Sequence, residues 1–227
     1  YSTADYFGDC DEAKIDSLVK AITGDSLADF KLMDLPDRPG DKCLAPHYNP
    51  SKFLLYQDPL NGIFDKQVEP KFKENYAKTA LILKKKAKES SDFGYVYDVL
   101  ASLCDVMEIK VDLGVRLRKS YKAGDKAGLK KIIRKDIPLL LKRIDLFDKK
   151  FYEQWNKEFK PFGFDVVDGR IGYLRNRLST TIKVVKEYLD GKTETIPELE
   201  TEILPFNGLD YEISWNWWIQ TCTVNDL

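Results

Sequence analysis

The sequence predicts a mainly α-helical protein: an elongated antiparallel bundle of long helices with a short, β-like, Trp-rich C-terminal tail. Three observations predict it. Apolar residues recur at spacings of three and four through the long stretches of the chain, with charged residues between them. Those stretches are separated by short breaks of Gly, Pro and capping Asp, and long helices joined by short breaks pack antiparallel. Only near the C-terminus does the apolar pattern change to period two.

The elements follow in order. Asp11 suits an N-cap, Glu12 suits the positive end of a helix, and Ala13, Leu18, Val19 and Ile22 continue at helical spacing until Thr23 and Gly24 stop it. Ser26 caps a short turn over residues 27–33, ended by Leu35 and Pro36. A Pro-rich loop follows, and Asn49-Pro50-Ser51 restarts a helix with Asn as cap and Pro at the first position. Its apolar turn, Phe53, Leu54, Leu55 and Tyr56, must be buried, and Asp58, Pro59 and Gly62 turn the chain afterwards.

Phe72, Tyr76, Ala80, Leu83 and Ala87 mark the first long helix, over residues 70–90. A second, of about thirty residues, is expected from 93 to 123, with Val96, Leu100, Leu103, Met107, Val111, Val115 and Arg118 on one side. Gly124 breaks it and Asp125 caps the next, which runs from 126 to about 159 with a kink at Pro138. Ile171, Leu174, Leu178, Ile182, Val185 and Leu189 form the stripe of a last long helix, from about 168 and ended by Gly191. Pro197 begins a short final helix. Three regions of one domain result: residues 1–48 with short helices and a Pro-rich loop, 49–205 the bundle, and 206–227 the tail.

Composition excludes several classes. The 227 residues carry a net charge of −1 with both signs interspersed, so neither nucleic acid nor an anionic membrane is indicated as partner. No apolar run approaches a membrane span, and the N-terminus lacks the basic start and apolar core of a signal peptide. The chain does not start with Met, and a fragment of a longer protein is one expectation. Cys10, Cys43, Cys104 and Cys222 lie far apart and there is a single His, His47, so no metal site and no cofactor are expected. Reduced thiols in a cytoplasmic protein are the default reading. The Lys-rich runs at 84–88 and 130–135 read as solvated helix faces.

Two stretches stand out chemically. KPFGFDVVDGR, residues 160–170, interrupts the helical pattern with Pro161, two Gly at which φ can be positive, two Phe and several charges. It reads either as a binding loop held between rigid helices or as an interhelical corner in which Phe162 and Phe164 plug the core. In the tail, Ile213, Trp215, Trp217 and Ile219 alternate as in a strand. Trp215, Trp217 and Trp218 are candidates for stacking on sugar rings or for pinning the tail to the domain or to a second subunit. The adjacent acids Asp11 and Glu12 invite comparison with glycosidase carboxylates, but acids at a helix start are read as caps.

Several stretches together resemble one family: 21–30 (AITGDSLADF) with 32–36 (LMDLP), 49–65 (NPSKFLLYQDPLNGIFD), 110–118 (KVDLGVRLR) with Tyr121, and 160–170 leading to Leu174, Arg177 and Leu178. They resemble the helical C-terminal domain of bacterial exo-β-D-N-acetylglucosaminidases of glycoside hydrolase family 20, over residues 11–204 and in the same order. The Trp-rich tail matches less clearly.

The resemblance implies that catalysis belongs to an upstream (β/α)8 barrel of the parent chain. There an Asp-Glu pair works with the substrate's own 2-acetamido group, removing terminal N-acetylglucosamine from glycans. Nothing in this sequence matches that barrel, so no catalytic residue is assigned and hydrolysis is expected to require it. The domain is expected to pack on the barrel and support a homodimer. Its loops at 49–58 and 160–170 are then expected at the rim of a sugar pocket, with Tyr56, Asp58, Asp165 and Arg170 as substrate-proximal candidates. An independent carbohydrate-binding module built on the Trp tail, or a helical protein-interaction module, is the alternative.

Overall fold

In the computed structural model, residues 11–40, 50–62 and 64–202 are described; the Trp-rich tail, His47 and the Asn49 cap lie outside them. Helix ends fall where capping chemistry places them. Asp11 accepts the Lys14 N–H at 3.1 Å to open α1 (Glu12–Thr23), and Gly24, at φ 77°, ends it. Ser26 and Asp29 form a reciprocal capping box on α2 (Leu27–Phe30). A 3-10 segment, Lys31–Asp37, follows and runs through Pro36, beyond the expected stop at Leu35.

Helix α3 (Pro50–Tyr56) buries Phe53, Leu54 and Leu55 as the pattern requires. The bundle continues with α4 (Phe72–Glu89), α5 (Gly94–Lys110), α6 (Leu113–Lys122), the short α7 (Lys126–Lys131), α8 (Ile137–Glu158) and α9 (Phe164–Leu189), with a last turn, α10 (Pro197–Glu200). No strand occurs among the described residues. The core is a bundle in which α4, α5, α8 and α9 pack in succession. α5 is its central member: Tyr97, Ala101, Cys104, Val106 and Met107 are all inaccessible, so it is enclosed on more than one side. The one-sided stripe expected for it is therefore too narrow; Leu100 and Leu103 are only half-buried.

Two expected helices are divided. The thirty-residue helix breaks at Val111–Asp112, between α5 and α6. The break brings Gly114 against the loop after α3, where a Cβ would lie 2.9 Å from Asp65 Oδ1 and 3.2 Å from the Pro59 carbonyl oxygen. The kink expected at Pro138 is a π-helical turn, Ile132–Asp136, between α7 and α8. Ile137 N–H bonds back to the Ile132 carbonyl, a wider loop that leaves room for the proline ring one residue later.

The stretch at 160–170 also differs from expectation. Only its first part is a loop, because Gly163, at φ 95°, begins α9 at Phe164. Gly169 lies inside the helix and does not take positive φ. Of the two phenylalanines, Phe164 is buried among Phe151, Tyr152 and Trp155, whereas Phe162 is 84% exposed. Trp155 Nε1 donates to the Lys160 carbonyl at 2.8 Å and its ring packs 3.5 Å from where a Gly163 Cβ would be.

Lys86 corrects the reading of the 84–88 run as a solvated face. Its Nζ lies 2.7 Å from Asp25 Oδ1 and 2.9 Å from Asp29 Oδ1, and Asp25 is fully buried and also accepts from Ser90. This pairing ties α1 and α2 to the α4–α5 hairpin.

Candidate functional site

Residues of the 49–65 and 110–118 stretches, with Tyr121 and Arg177, meet around the turn that follows α3. The last carbonyls of a helix lack intrahelical partners. Here Lys110, at the end of α5, supplies them: its Nζ donates to the Leu54 carbonyl at 2.8 Å and the Gln57 carbonyl at 2.7 Å. Lys110 is fully buried, and that burial lowers its ammonium to about 7, outweighing the attraction of Asp58 and Asp65.

Arg118, one helix further on, continues the same support. Its Nη2 donates to the Leu60 carbonyl at 2.8 Å, its Nε approaches Asp65 Oδ2 at 3.3 Å, and its Nη1 reaches the Glu198 and Leu199 carbonyls. Gln57 donates to the other Asp65 oxygen at 2.8 Å. Burial raises the Asp65 carboxyl above its ordinary range despite these donors. Gly62, at φ 64°, has no room for a Cβ, which would stand 2.6 Å from both Arg118 Nη2 and Asp65 Oδ2. Tyr121 completes the set, donating to Glu200 at 2.5 Å and accepting the Ile196 N–H at 3.0 Å.

The turn so held presents Asp58 to α9. Asp58 Oδ1 accepts the Leu60 N–H at 2.9 Å, and Oδ2 accepts from Arg177 Nε at 2.5 Å. Tyr56 is half-buried against the same side, and burial pushes its phenol up to about 12, with Arg170 opposing and Asp148 adding to the shift. Lys52, one helical turn before Tyr56, is lowered by burial and then by Arg170. On α8, Asp148 accepts from Arg175 at 3.1 Å, and Arg175 also pairs with Asp145 at 2.7 Å. Three polar atoms here are buried without a hydrogen-bond partner: Asp148 Oδ1, Arg170 Nε and Arg175 Nε.

Of the residues singled out in the sequence, Tyr56, Asp58 and Arg170 therefore share the α3–α9 face. Asp165 does not join them; it is exposed in the first turn of α9, where a carboxylate suits the helix end. Trp215, Trp217 and Trp218 lie outside the described residues. Sequence reasoning missed Lys52, Asp148, Arg175 and Arg177 as members of this face, and Lys110 and Arg118 as its supports. The available signal was the bundling of Lys110, Arg118 and Arg177 with the most distinctive stretches. The open groove lined by Lys84, Lys88, Tyr95, Asp98 and Lys157 contains none of the predicted residues.

The site is thus a turn of a helical bundle buttressed by buried charges, and no metal-holding cluster occurs among the described residues. The profile of the Glycoside Hydrolase 20C C-terminal domain matches residues 28–214, and the chain belongs to that family. It is thus a C-terminal accessory domain of a glycoside hydrolase. No curated protein matches the chain. No described helix is long and apolar enough to cross a membrane.

Proposed function

We propose that the chain is the accessory domain of a β-N-acetylhexosaminidase, packing on a catalytic barrel of the same parent chain, supporting a homodimer and edging the sugar pocket with its α3–α9 face. Under this reading the domain runs from the short N-terminal helices through the bundle, with the Trp-rich tail as its last part. The observation that carries it is the turn after α3, held by Lys110 and joined through Asp58 to Arg177 of α9, which sets Tyr56 of α3 and Arg170 of α9 on one face. Such pre-positioning is what a substrate-facing surface needs.

Two apolar surfaces support the packing role. α1 has no buried residue and carries Ile15, Leu18 and Ile22 along one side, the last 77% exposed. The tip between α8 and α9 exposes Tyr152, Phe159 and Phe162. Exposed apolar groups clustered in this way mark interaction surfaces.

The test uses the full-length parent enzyme and an aryl N-acetylglucosaminide. Arg170→Ala is expected to raise KM by roughly tenfold, the effect of losing one charge-assisted contact. Sedimentation reports the oligomeric state in parallel. Unchanged kinetics together with unchanged dimerisation would sink the pocket-edge reading.

A further inference from the structure

Cations on a folded surface are ordinarily paired or freely solvated, and Lys52 and Arg170 are neither. Among the described residues, no carboxylate closes an ion pair with either, while neighbouring Arg175 and Arg177 are both paired. Both side chains are half-buried, and Arg170 Nε is wholly buried without a partner.

Helix register places them opposite each other. The Arg177–Asp58 contact pins α9 to the chain just after α3, and the two helices pack together. Arg170 and Tyr173 precede Arg177 by seven and four residues on one face of α9, and Lys52 and Tyr56 precede Asp58 by six and two. Two turns toward the start of α9 from the pinned end, about 10 Å, therefore bring Arg170 alongside Tyr56 and Lys52. The charge of Arg170 acts on both of them. Like charges held together are unfavourable unless something negative sits between them, and Asp148, the carboxylate that also acts on Tyr56, is already paired with Arg175.

We propose that Lys52 and Arg170, with Tyr56 beside them, hold the anionic group of a sugar ligand, a carboxylate or a phosphate. The inference rests on reading the α3–α9 face as sugar-facing. The donor set suits an oxyanion, because a guanidinium fork, an ammonium and a phenol that stays protonated at neutral pH can all donate to its lone pairs.

The experiment titrates the 227-residue chain at low salt and follows the arginine Nε–H resonances, with the Arg170 signal identified by its loss in Arg170→Lys. The probes are inorganic phosphate, glucuronate, N-acetylglucosamine 6-phosphate and neutral N-acetylglucosamine. A saturable shift of the Arg170 signal is expected with glucuronate or the phosphosugar, weakening as salt rises. Lys52→Met is expected to weaken it by roughly fivefold or more, and Lys52→Arg to restore it, with the helical circular dichroism unchanged. No saturable shift with either anionic sugar overturns the inference, as does binding by inorganic phosphate alone or binding indifferent to Lys52→Met. A shift with neutral N-acetylglucosamine equal to that with the anions also overturns it, yet leaves the pocket-edge function standing. Loss of that function would instead show in the kinetics of the parent enzyme.

Discussion

Arg177 and Asp58, 119 positions apart, meet at 2.5 Å and join the turn after α3 to the middle of α9. Asp58 is almost wholly buried, with a side chain 6% exposed, while Arg177 keeps a quarter of its surface in solvent. Removing the arginine leaves a buried carboxylate without its cation. Arg177→Ala is expected to cost about 2–4 kcal/mol, toward the lower side of the range for broken buried pairs because solvent screens Arg177. Urea denaturation measures it, and a loss under about 0.5 kcal/mol would place the pair among inert surface contacts.

Lys110 gives the fold a pH signature. Its ammonium titrates near 7 in the folded chain against an ordinary 10.5, so above pH 7 the unfolded chain binds more protons than the folded one. Stability therefore rises with pH from about 7 toward 9. At higher pH the opposite trend sets in, because burial raises the Cys104 thiol to about 12 and Tyr76 well above its usual value, so the unfolded chain loses those protons first. Urea midpoints at half-unit pH steps should show the rise in the native chain and its absence in Lys110→Met.

Asp29 gives the opposite signature at low pH. Burial alone would raise its carboxyl, but the Ser26 backbone N–H, the Ser26 hydroxyl and the Lys86 ammonium together hold it at about 2. A depressed carboxyl stabilises the fold above its unfolded value of 3.8, and that contribution disappears as pH falls toward 2. Asp29→Asn is expected to flatten the part of the acid-unfolding curve between pH 4 and 2. An unchanged curve would mean that the clamp joining α1 and α2 to α4 does not respond to Asp29.

Two glycines should respond in opposite ways. At Gly114 a methyl group would press on Asp65 and the Pro59 carbonyl, so Gly114→Ala is expected to cost about 1–3 kcal/mol, the usual range for overpacking. At Gly172, inside α9, a Cβ meets nothing within 4 Å. Gly172→Ala should stabilise the chain by about 0.5–1 kcal/mol through helix propensity alone. Thermal melts of both variants settle the contrast, and equal effects would contradict it.

Much of this architecture was legible locally. Asp11, Ser26 and Asp125 cap helices and Gly24, Gly124 and Gly191 end them, because capping needs only a side-chain oxygen or a positive φ at one position. The stripe through Ile171, Leu174, Leu178 and Val185 is buried as its spacing implies. Where the reading failed, a distant partner intervened. The break at Val111–Asp112 lies where Gly114 meets a loop fifty residues earlier, and Phe164, which opens α9, is enclosed by an aromatic cluster on α8.

Helical class, the capped helix ends and family resemblance were thus determined by the sequence itself, since periodicity, caps and motif order are properties of neighbouring residues. Only tertiary structure decided that Lys86 and Lys110 are buried rather than solvated, and that Tyr56, Asp58 and Arg170 share a face without Asp165. The physical reason is that a charge's role depends on its counter-charges and its access to water. Both are set by residues scores of positions away.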